Sequence, residues 1–268
     1  MNKDSLVVDS KAGIARVTLN RPEVRNAFNA ELIADITHLF NDLGQRNDIR
    51  CIVLGANGPA FCAGADLNWM RSMADYTREQ NIADAAQLAA MMQTIYQCPK
   101  ATIACIQGDV YAGGMGLVAA CDIAVSVDTA NFCLSEVKLG LLPSTISPYV
   151  IRSMGARAAQ RYFLTAERFS AAEALRIGFV HEVVMAEQLK AKIAEVTTAL
   201  CGAGPSAVKL CKTLVHDVAG RPITSELVQM TVASIADVRV SPEGREGVQS
   251  FLQKRKPNWL LASKPEKE

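Results

Sequence analysis

The sequence predicts an α/β fold that ends in a helical C-terminal region. Three observations carry that class. Short apolar runs typical of buried strands recur through the first two-thirds, glycine-rich turns lead from them into helical patterns, and helical spacing dominates the remainder. No exact repeat and no low-complexity linker interrupts the chain. At 268 residues it is long enough for one large domain with a smaller appendage. We divide it into a core over 1–195 and a helical region over 196–268, joined near 195–205.

Ser5 to Leu19 reads as two short strands around Lys11-Ala12-Gly13, a tight-turn signal. Pro22 interrupts regular pairing, so Arg21 to Asn26 is a loop. From near Asn29, Leu32, Ile33, Ile36, Leu39, Phe40 and Leu43 fall on one helical face. Ile49 to Ala56 has the composition of a strand buried on both faces, closed by Asn57-Gly58-Pro59. The loop Phe61 to Leu67 and a polar stretch from Asn68 to Asn81 precede a helix over about Ile82 to Tyr96. Thr102 to Gln107, Ile123 to Val127 and Ala130 to Ser135 are further strands, with a helix from Gly113 to Cys121 after the first of them. Leu139 to Pro143 is a turn. From Tyr149 onward the pattern is mostly helical, broken at Gly178, Gly204-Pro205 and Arg221-Pro222.

Composition excludes several classes. Half of the residues are hydrophobic and 21% are charged, the balance of a soluble globular protein. The net charge is +1, so no global field attracts nucleic acid or an anionic membrane, and an anionic ligand needs a local site. The N-terminal stretch MNKDSLVVDSKAG has charges where a signal peptide needs its apolar segment. No uninterrupted apolar run approaches the ~20 residues that cross a bilayer. The eight cysteines include no CxxC pair and lie mostly in apolar runs, while His38, His181 and His216 lack ligand spacing. Reduced, buried thiols in a cytoplasmic protein without a metal site are the expectation.

Two loops could carry chemistry. Phe61 to Leu67 (FCAGADL) and Gly108 to Gly116 (GDVYAGGMG) each follow a buried strand and consist largely of small residues. Small residues let a ligand approach the backbone, and a helix opening at Gly113-Gly114 leaves N–H groups unpaired. One N–H from each loop would stabilise negative charge developing on a carbonyl oxygen. Spacing alone leaves open that both loops are only tight connections.

The runs PAFCAGADLNWM and QGDVYAGGMGLVAACDIAV resemble the two signature blocks of the crotonase (enoyl-CoA hydratase/isomerase) family. Asn20-Arg21-Pro22, Asn26-Ala27, Ser135-Glu136, Leu139-Gly140-Leu141-Leu142-Pro143 and RYFLT at 161–165 match in order, and the similarity extends to Trp259. The resemblance implies a crotonase-like spiral of ββα turns and a helical C-terminal trimerisation region, in trimers that often pair into hexamers. It implies an acyl-CoA thioester substrate, with coenzyme A part of the substrate and no separate cofactor. Its oxyanion donors fall on the backbone N–H groups of Ala65 and Gly113. Ala63, Ala65, Asp66 and Leu67 would contact CoA, and Arg25 is a candidate for its phosphates, with a solvated loop cation as the other reading.

Hydratases of the family commonly carry two glutamates. The position of the first is Gly116 here, and the second is Glu136. Without the family, Glu136 reads as a surface ion pair with Lys138; within it, Glu136 is the acid/base, its pKa raised by an apolar pocket. LSEVKLGLLPSTISPYV and RYFLTAERF look most like bacterial methylglutaconyl-CoA hydratases, which implies a branched or carboxylated enoyl-CoA. Arg71, Ser144, Ser147 and Tyr149 are candidates for the acyl end, against a surface role for Arg71 and core packing for Tyr149. The alternatives are a general enoyl-CoA hydratase of fatty-acid oxidation, a Δ3,Δ2-enoyl-CoA isomerase, and a non-catalytic CoA- or RNA-binding protein. The absence of a basic stripe and of stacking aromatics argues against RNA. Asp66 and Asp122 read as structural carboxylates. Lys254 to Lys256 are either CoA contacts from a neighbouring subunit or a solvated tail.

Overall fold

The computed structural model describes residues 5–261; the first four residues of the charged N-terminal stretch lie outside the described residues. β1 (Leu6–Lys11) and β2 (Ile14–Leu19) form an antiparallel hairpin, turned by Ala12 and Gly13 at positive φ. A 3-10 turn at Pro22–Val24 leads to Arg25 and Asn26, both left-handed with φ of 53° and 55°. α1 (Ala30–Gln45) starts where Asn29 accepts from the Leu32 N–H at 3.0 Å, and it buries the expected face from Leu32 to Leu43.

β3 (Cys51–Ala56) and β4 (Ala60–Cys62) follow, then α2 (Leu67–Met73) and α3 (Arg78–Tyr96). The polar stretch 68–81 is thus largely helical. Asp66 caps α2, and a reciprocal Thr77/Gln80 capping box starts α3 ahead of Ile82. β5 (Ala101–Ile106), β6 (Asp109–Tyr111), α4 (Gly113–Ala120), β7 (Ile123–Val127) and β8 (Asn131–Cys133) complete the strand-rich part. α5 (Ser147–Thr165), β9 (Phe169–Ser170), α6 (Ala171–Arg176), β10 (Glu182–Val184) and α7 (Leu189–Gly202) come next, and α7 runs across residue 195. The chain after Tyr149 is mostly helical, as expected, with the short strands β9 and β10 added; runs this short carry no readable alternation. α8 (Pro205–Val218), α9 (Ser225–Val240), α10 (Pro242–Leu252) and α11 (Asn258–Leu261) close the described chain.

The strands build two sheets. The larger has the order β1-β2-β3-β5-β7-β10, parallel from β2 onward, and the smaller has the order β4-β6-β8-β9. Successive pairs β3/β4, β5/β6 and β7/β8 each give one strand to each sheet, which is a spiral of stacked turns. Phe28, Phe61, Phe132 and Phe179 are fully buried in the core that the spiral encloses. Asp122, at the end of α4, accepts from the Thr102 N–H and hydroxyl at 2.8 and 3.0 Å and pairs with Lys212 at 2.9 Å. It ties α4 to β5 and α8, as a structural carboxylate should.

All eight cysteines are free, but they are not uniformly buried: Cys105, Cys121 and Cys201 are half-buried and Cys211 is exposed. α8, which carries Cys211, buries no residue fully within one chain. Among the described residues no helix is long and apolar enough to cross a membrane.

One buried polar knot holds the entrance to this architecture. Asn26 is 0% exposed; its Oδ1 accepts from the Arg21 N–H, and its Nδ2 donates to the Asn57 and Ala60 carbonyls. Asparagine also tolerates the left-handed backbone found there. Asn26→Ala strands these groups, and a loss of about 3 kcal/mol in denaturant unfolding is the expected outcome.

Candidate active site

The loop after β4 is held from one side by the segment before α1. The Ala63 N–H donates to the Arg25 carbonyl at 3.0 Å, Phe28 N–H to Gly64 O at 2.8 Å, and Asp66 N–H to Phe28 O at 3.0 Å. Phe28 and Ala65 thus form a parallel bridge. Because adjacent peptides in extended chain face opposite ways, this bridge turns the Ala65 N–H away from Phe28. Gly64 lies between, with φ of +87°; a Cβ there would sit 2.9 Å from Ala112 Cβ and 3.4 Å from the Gly113 nitrogen. Only glycine meets both demands, and it brings the Ala65 and Gly113 amides to neighbouring positions.

The second amide opens α4 and has no partner inside the helix. Its orientation is set by Ala112, whose φ of 47° and ψ of −122° are costly for a residue with a side chain, by about 1–3 kcal/mol. The Ala112 N–H donates to the Cys133 carbonyl at 2.8 Å, which fastens this turn to the end of β8. On the other side, the Phe28 ring fills the space over Gly113: a Cβ there would lie 2.3 Å from Phe28 Cζ. Phe28 in turn packs 6.3 Å from Trp69, whose Nε1 donates to Asp84 at 3.0 Å.

β8 also delivers the carboxylate. Glu136 follows Cys133 by one short turn and opens a 3-10 segment, Glu136–Leu139. Its Oε2 is buried and has no hydrogen-bond partner. The ion pair with Lys138 that local sequence allows does not form. Burial raises the Glu136 pKa above the ordinary carboxylate value, opposed only by its own backbone N–H. Gly116, also fully buried, has its open side closed: a Cβ there would lie 2.3 Å from Ile146 Cγ2 and 2.9 Å from Met92 Cε. No proton carrier fills that space.

The other expected residues divide by what they touch. Asp66 caps α2 by accepting from the Asn68 N–H at 2.8 Å and pairs with Arg21 at 2.8 Å, which with its hydrogen bonds holds its carboxyl below the usual range despite burial. It is structural. A groove of about 380 Å³, lined by Arg21, Asn29, Asn68, Trp69 and Tyr76, runs along the same loop. Leu67 is exposed, and the exposed Arg25 side chain sits on the segment paired with Ala63. Arg71 is exposed and donates to Asn68 Oδ1 at 2.8 Å. Ser144 is exposed, and its carbonyl accepts from the Ser147 hydroxyl. Tyr149 packs edge-on against Tyr96, which stacks on His216, so its ring serves the α3–α5–α8 contact. No hydrogen bond or ion pair among the described residues joins Arg71 to Ser144, Ser147 or Tyr149. Arg255 is held to its own chain by a two-pronged pair with Glu246 at 2.6 and 2.8 Å, while the Lys254 and Lys256 side chains are exposed. Among the described residues no group of three His, Cys, Asp or Glu side chains could hold a metal ion.

Sequence reasoning missed Phe28, Ala112, Ile146 and Met92, the residues that shape the site without reacting. The Ala112-Gly113-Gly114 run hinted at the first turn; the contacts of Phe28, Ile146 and Met92 arise only from the fold.

Two loop amides free of helix partners, and a buried carboxyl with one unpartnered oxygen on the turn after the strand that anchors one of them, are the parts of an acid/base site acting on a carbonyl. The comparisons with known proteins narrow this class. The model of the enoyl-CoA hydratase/isomerase family matches residues 9–261. The chain is 35% identical over 253 residues to the enoyl-CoA hydratase AKT6-1 of Alternaria alternata, covering 92% of this chain and 80% of that one. The solved structure of an enoyl-CoA hydratase from Shewanella pealeana superposes with a TM-score of 0.93 at 40% identity, over 96% and 97% of the two chains. Pseudomonas aeruginosa AtuE gives 0.91 at 31% identity, over 95% and 99%. The chain belongs to the enoyl-CoA hydratase/isomerase, or crotonase, family.

The raised Glu136 pKa has a stability consequence. Above the ordinary carboxylate pKa the unfolded chain releases this proton more readily than the folded one, so buried Glu136 costs stability as pH rises through that range. Glu136→Gln is expected to raise the melting temperature at pH 7.5, with the gain vanishing below about pH 4, where both states are protonated. A pH series of thermal melts checks it.

Proposed function

We propose that this enzyme adds water across the 2,3 double bond of an enoyl-CoA thioester, with a branched or carboxylated acyl group of the 3-methylglutaconyl type. The observation that carries the hydration chemistry is the buried, unpaired Glu136 Oε2 on the strand end that also anchors the Gly113 turn. The thioester oxygen accepts from the Ala65 and Gly113 N–H groups, each such donor being worth roughly 3–4 kcal/mol in a transition state. Polarisation makes the β-carbon electrophilic and lets the enolate form. Glu136 takes a proton from water as the oxygen bonds to the β-carbon, then returns one to the α-carbon as the enolate collapses. Atoms balance with a single carboxyl acting as base and then acid. CoA lies along Ala63, Ala65, Asp66 and Leu67, with Arg25 at its phosphates.

The acyl preference rests on the likeness of the 134–150 and 161–169 segments to methylglutaconyl-CoA hydratases. A second reading, Δ3,Δ2-enoyl-CoA isomerase, is favoured by the closed space over Gly116, since one carboxylate suffices to move a proton between carbons. Hydration of crotonyl-CoA and 3-methylglutaconyl-CoA by wild type and Glu136→Gln separates these. The expected outcome is a higher kcat/KM for 3-methylglutaconyl-CoA, reduced on the order of 10²–10⁴-fold in the variant. Comparable turnover of crotonyl-CoA would replace the acyl assignment with general enoyl-CoA hydration. Hydration of neither, with isomerisation of a 3-enoyl-CoA, would replace the reaction. An unchanged kcat/KM in Arg71→Ala would remove that residue from the acyl end.

We also propose a trimer or a dimer of trimers. α9 buries only Leu227 fully within the chain, while Val232, Ile235 and, on α10, Val248 and Phe251 are exposed, the last by 82%. Apolar surface of this extent is normally covered. Light scattering at micromolar concentration is expected to give three or six chains per particle, and a monomer would refute it.

A further inference from the structure

Phe28 touches the segments that carry both amides, and a chain of contacts leads from it to α3. Its backbone grips the first: the Phe28 N–H donates to Gly64 O at 2.8 Å and its carbonyl accepts from the Asp66 N–H at 3.0 Å, with Ala65 between them. Its ring tip meets the second. A Cβ on Gly113 would strike Phe28 Cζ first, with Cε2 and Cε1 at 3.1 and 3.3 Å, so the leading edge of the ring rests over that glycine. Trp69 packs against the buried Phe28 ring at 6.3 Å between centroids and 59° between planes. Trp69 belongs to α2, which Asp66 caps directly after Ala65, and its Nε1 donates to Asp84 Oδ1 on α3 at 3.0 Å.

These contacts close a circuit. It runs from Ala65 through Asp66 and α2 to Trp69, across to the Phe28 ring, and back through the Phe28 backbone to Ala65, with Gly113 lodged against the ring. The Gly113 turn needs such a brace, because the Ala112 conformation that aims its amide is costly and persists only where its surroundings hold it. The Cys133 carbonyl holds the turn from one direction, through the Ala112 N–H, and the Phe28 ring meets it at Gly113. An indole has a single N–H, and a carboxylate acceptor makes that bond a strong one, so Asp84 fixes the Trp69 ring in place. Trp69 and Asp84 are both half-buried, which leaves their exchange compatible with folding.

We infer that Phe28, Trp69 and Asp84 form a positioning relay that fixes the Gly113 amide relative to that of Ala65, so that a hydrogen bond to α3 sets the turnover number. The relay rests on the reading of these two amides as the donors to the thioester oxygen. None of the three side chains reacts; each acts through the next, and the last contact is the ring edge on Gly113. Donors of this kind work only within a narrow range of distance, and a misplacement of ~1 Å costs on the order of 10²-fold in rate.

Three variants of the whole chain test it, each checked for folding by a thermal melt. Asp84→Asn keeps Oδ1 as an acceptor, Asp84→Ala removes it, and Phe28→Leu withdraws the ring edge. The readouts are kcat and KM for enoyl-CoA turnover, and the ¹³C resonance of butyryl-CoA labelled at its carbonyl, a saturated thioester with no double bond to react. In wild type and Asp84→Asn the bound carbonyl carbon is expected downfield of free butyryl-CoA; in Asp84→Ala and Phe28→Leu it moves back toward the free position. In these two variants kcat falls by about tenfold or more, short of the roughly 10²–10³-fold that losing a whole donor costs, while KM changes by less than about twofold. A wild-type resonance and an unchanged kcat in folded Asp84→Ala and Phe28→Leu would overturn the relay and leave the two-amide reading standing. A resonance that does not move when butyryl-CoA binds the wild type would overturn that reading, and the relay with it.

Discussion

The site depends on how closely two backbone segments approach each other at Gly64. Three hydrogen bonds between the Arg25–Phe28 segment and the Ala63–Asp66 loop leave one amide, that of Ala65, facing the other way. The absence of a side chain at Gly64 lets Ala112 and Gly113 come up beside it. Upstream features serve that approach. Asn26 holds the turn leading into the first segment, the Arg21–Asp66 pair closes the loop's far end, and the Cys133 carbonyl holds the Ala112 turn. The spiral supplies the register, because β4, β6 and β8 lie side by side in the smaller sheet and end at the loop, the amide turn and Glu136 in succession.

Two costs are concentrated where chemistry is proposed. Ala112 holds a backbone conformation that suits glycine better, and Glu136 keeps a carboxyl oxygen buried without a partner. Each lowers stability, and each suits the proposed reaction: a fixed amide direction, and a carboxyl oxygen not tied up by another partner. The enclosed core, the Asn26 knot and the Asp122–Lys212 tie are the stabilising features against which these costs are set.

Much of this was legible in the sequence, for identifiable reasons. The face of α1 and the runs that became β3, β5 and β7 have strong periodicity or long apolar content, so they were readable without a partner. The small residues of both loops announced close backbone approach. Glu136 was ambiguous: beside Lys138 it reads as a surface ion pair, and only the turn after β8, which buries its Oε2, removes that option. β9 and β10 are too short to show alternation, and the helix start at Arg78 hid in a polar stretch because its signal is a cap. The roles of Phe28, Ile146 and Met92 come from side chains far apart in sequence, which periodicity does not connect.

Polarisation of a thioester carbonyl by the Ala65 and Gly113 amides can be observed in the bond itself. Glu136→Gln keeps both amides while slowing turnover, so a 2-enoyl-CoA remains intact on it long enough for vibrational difference spectroscopy with a ¹³C-labelled carbonyl. With both amides donating to it, the bound carbonyl is expected to stretch at lower frequency than in free enoyl-CoA in water. A bound carbonyl at the solution frequency would contradict it.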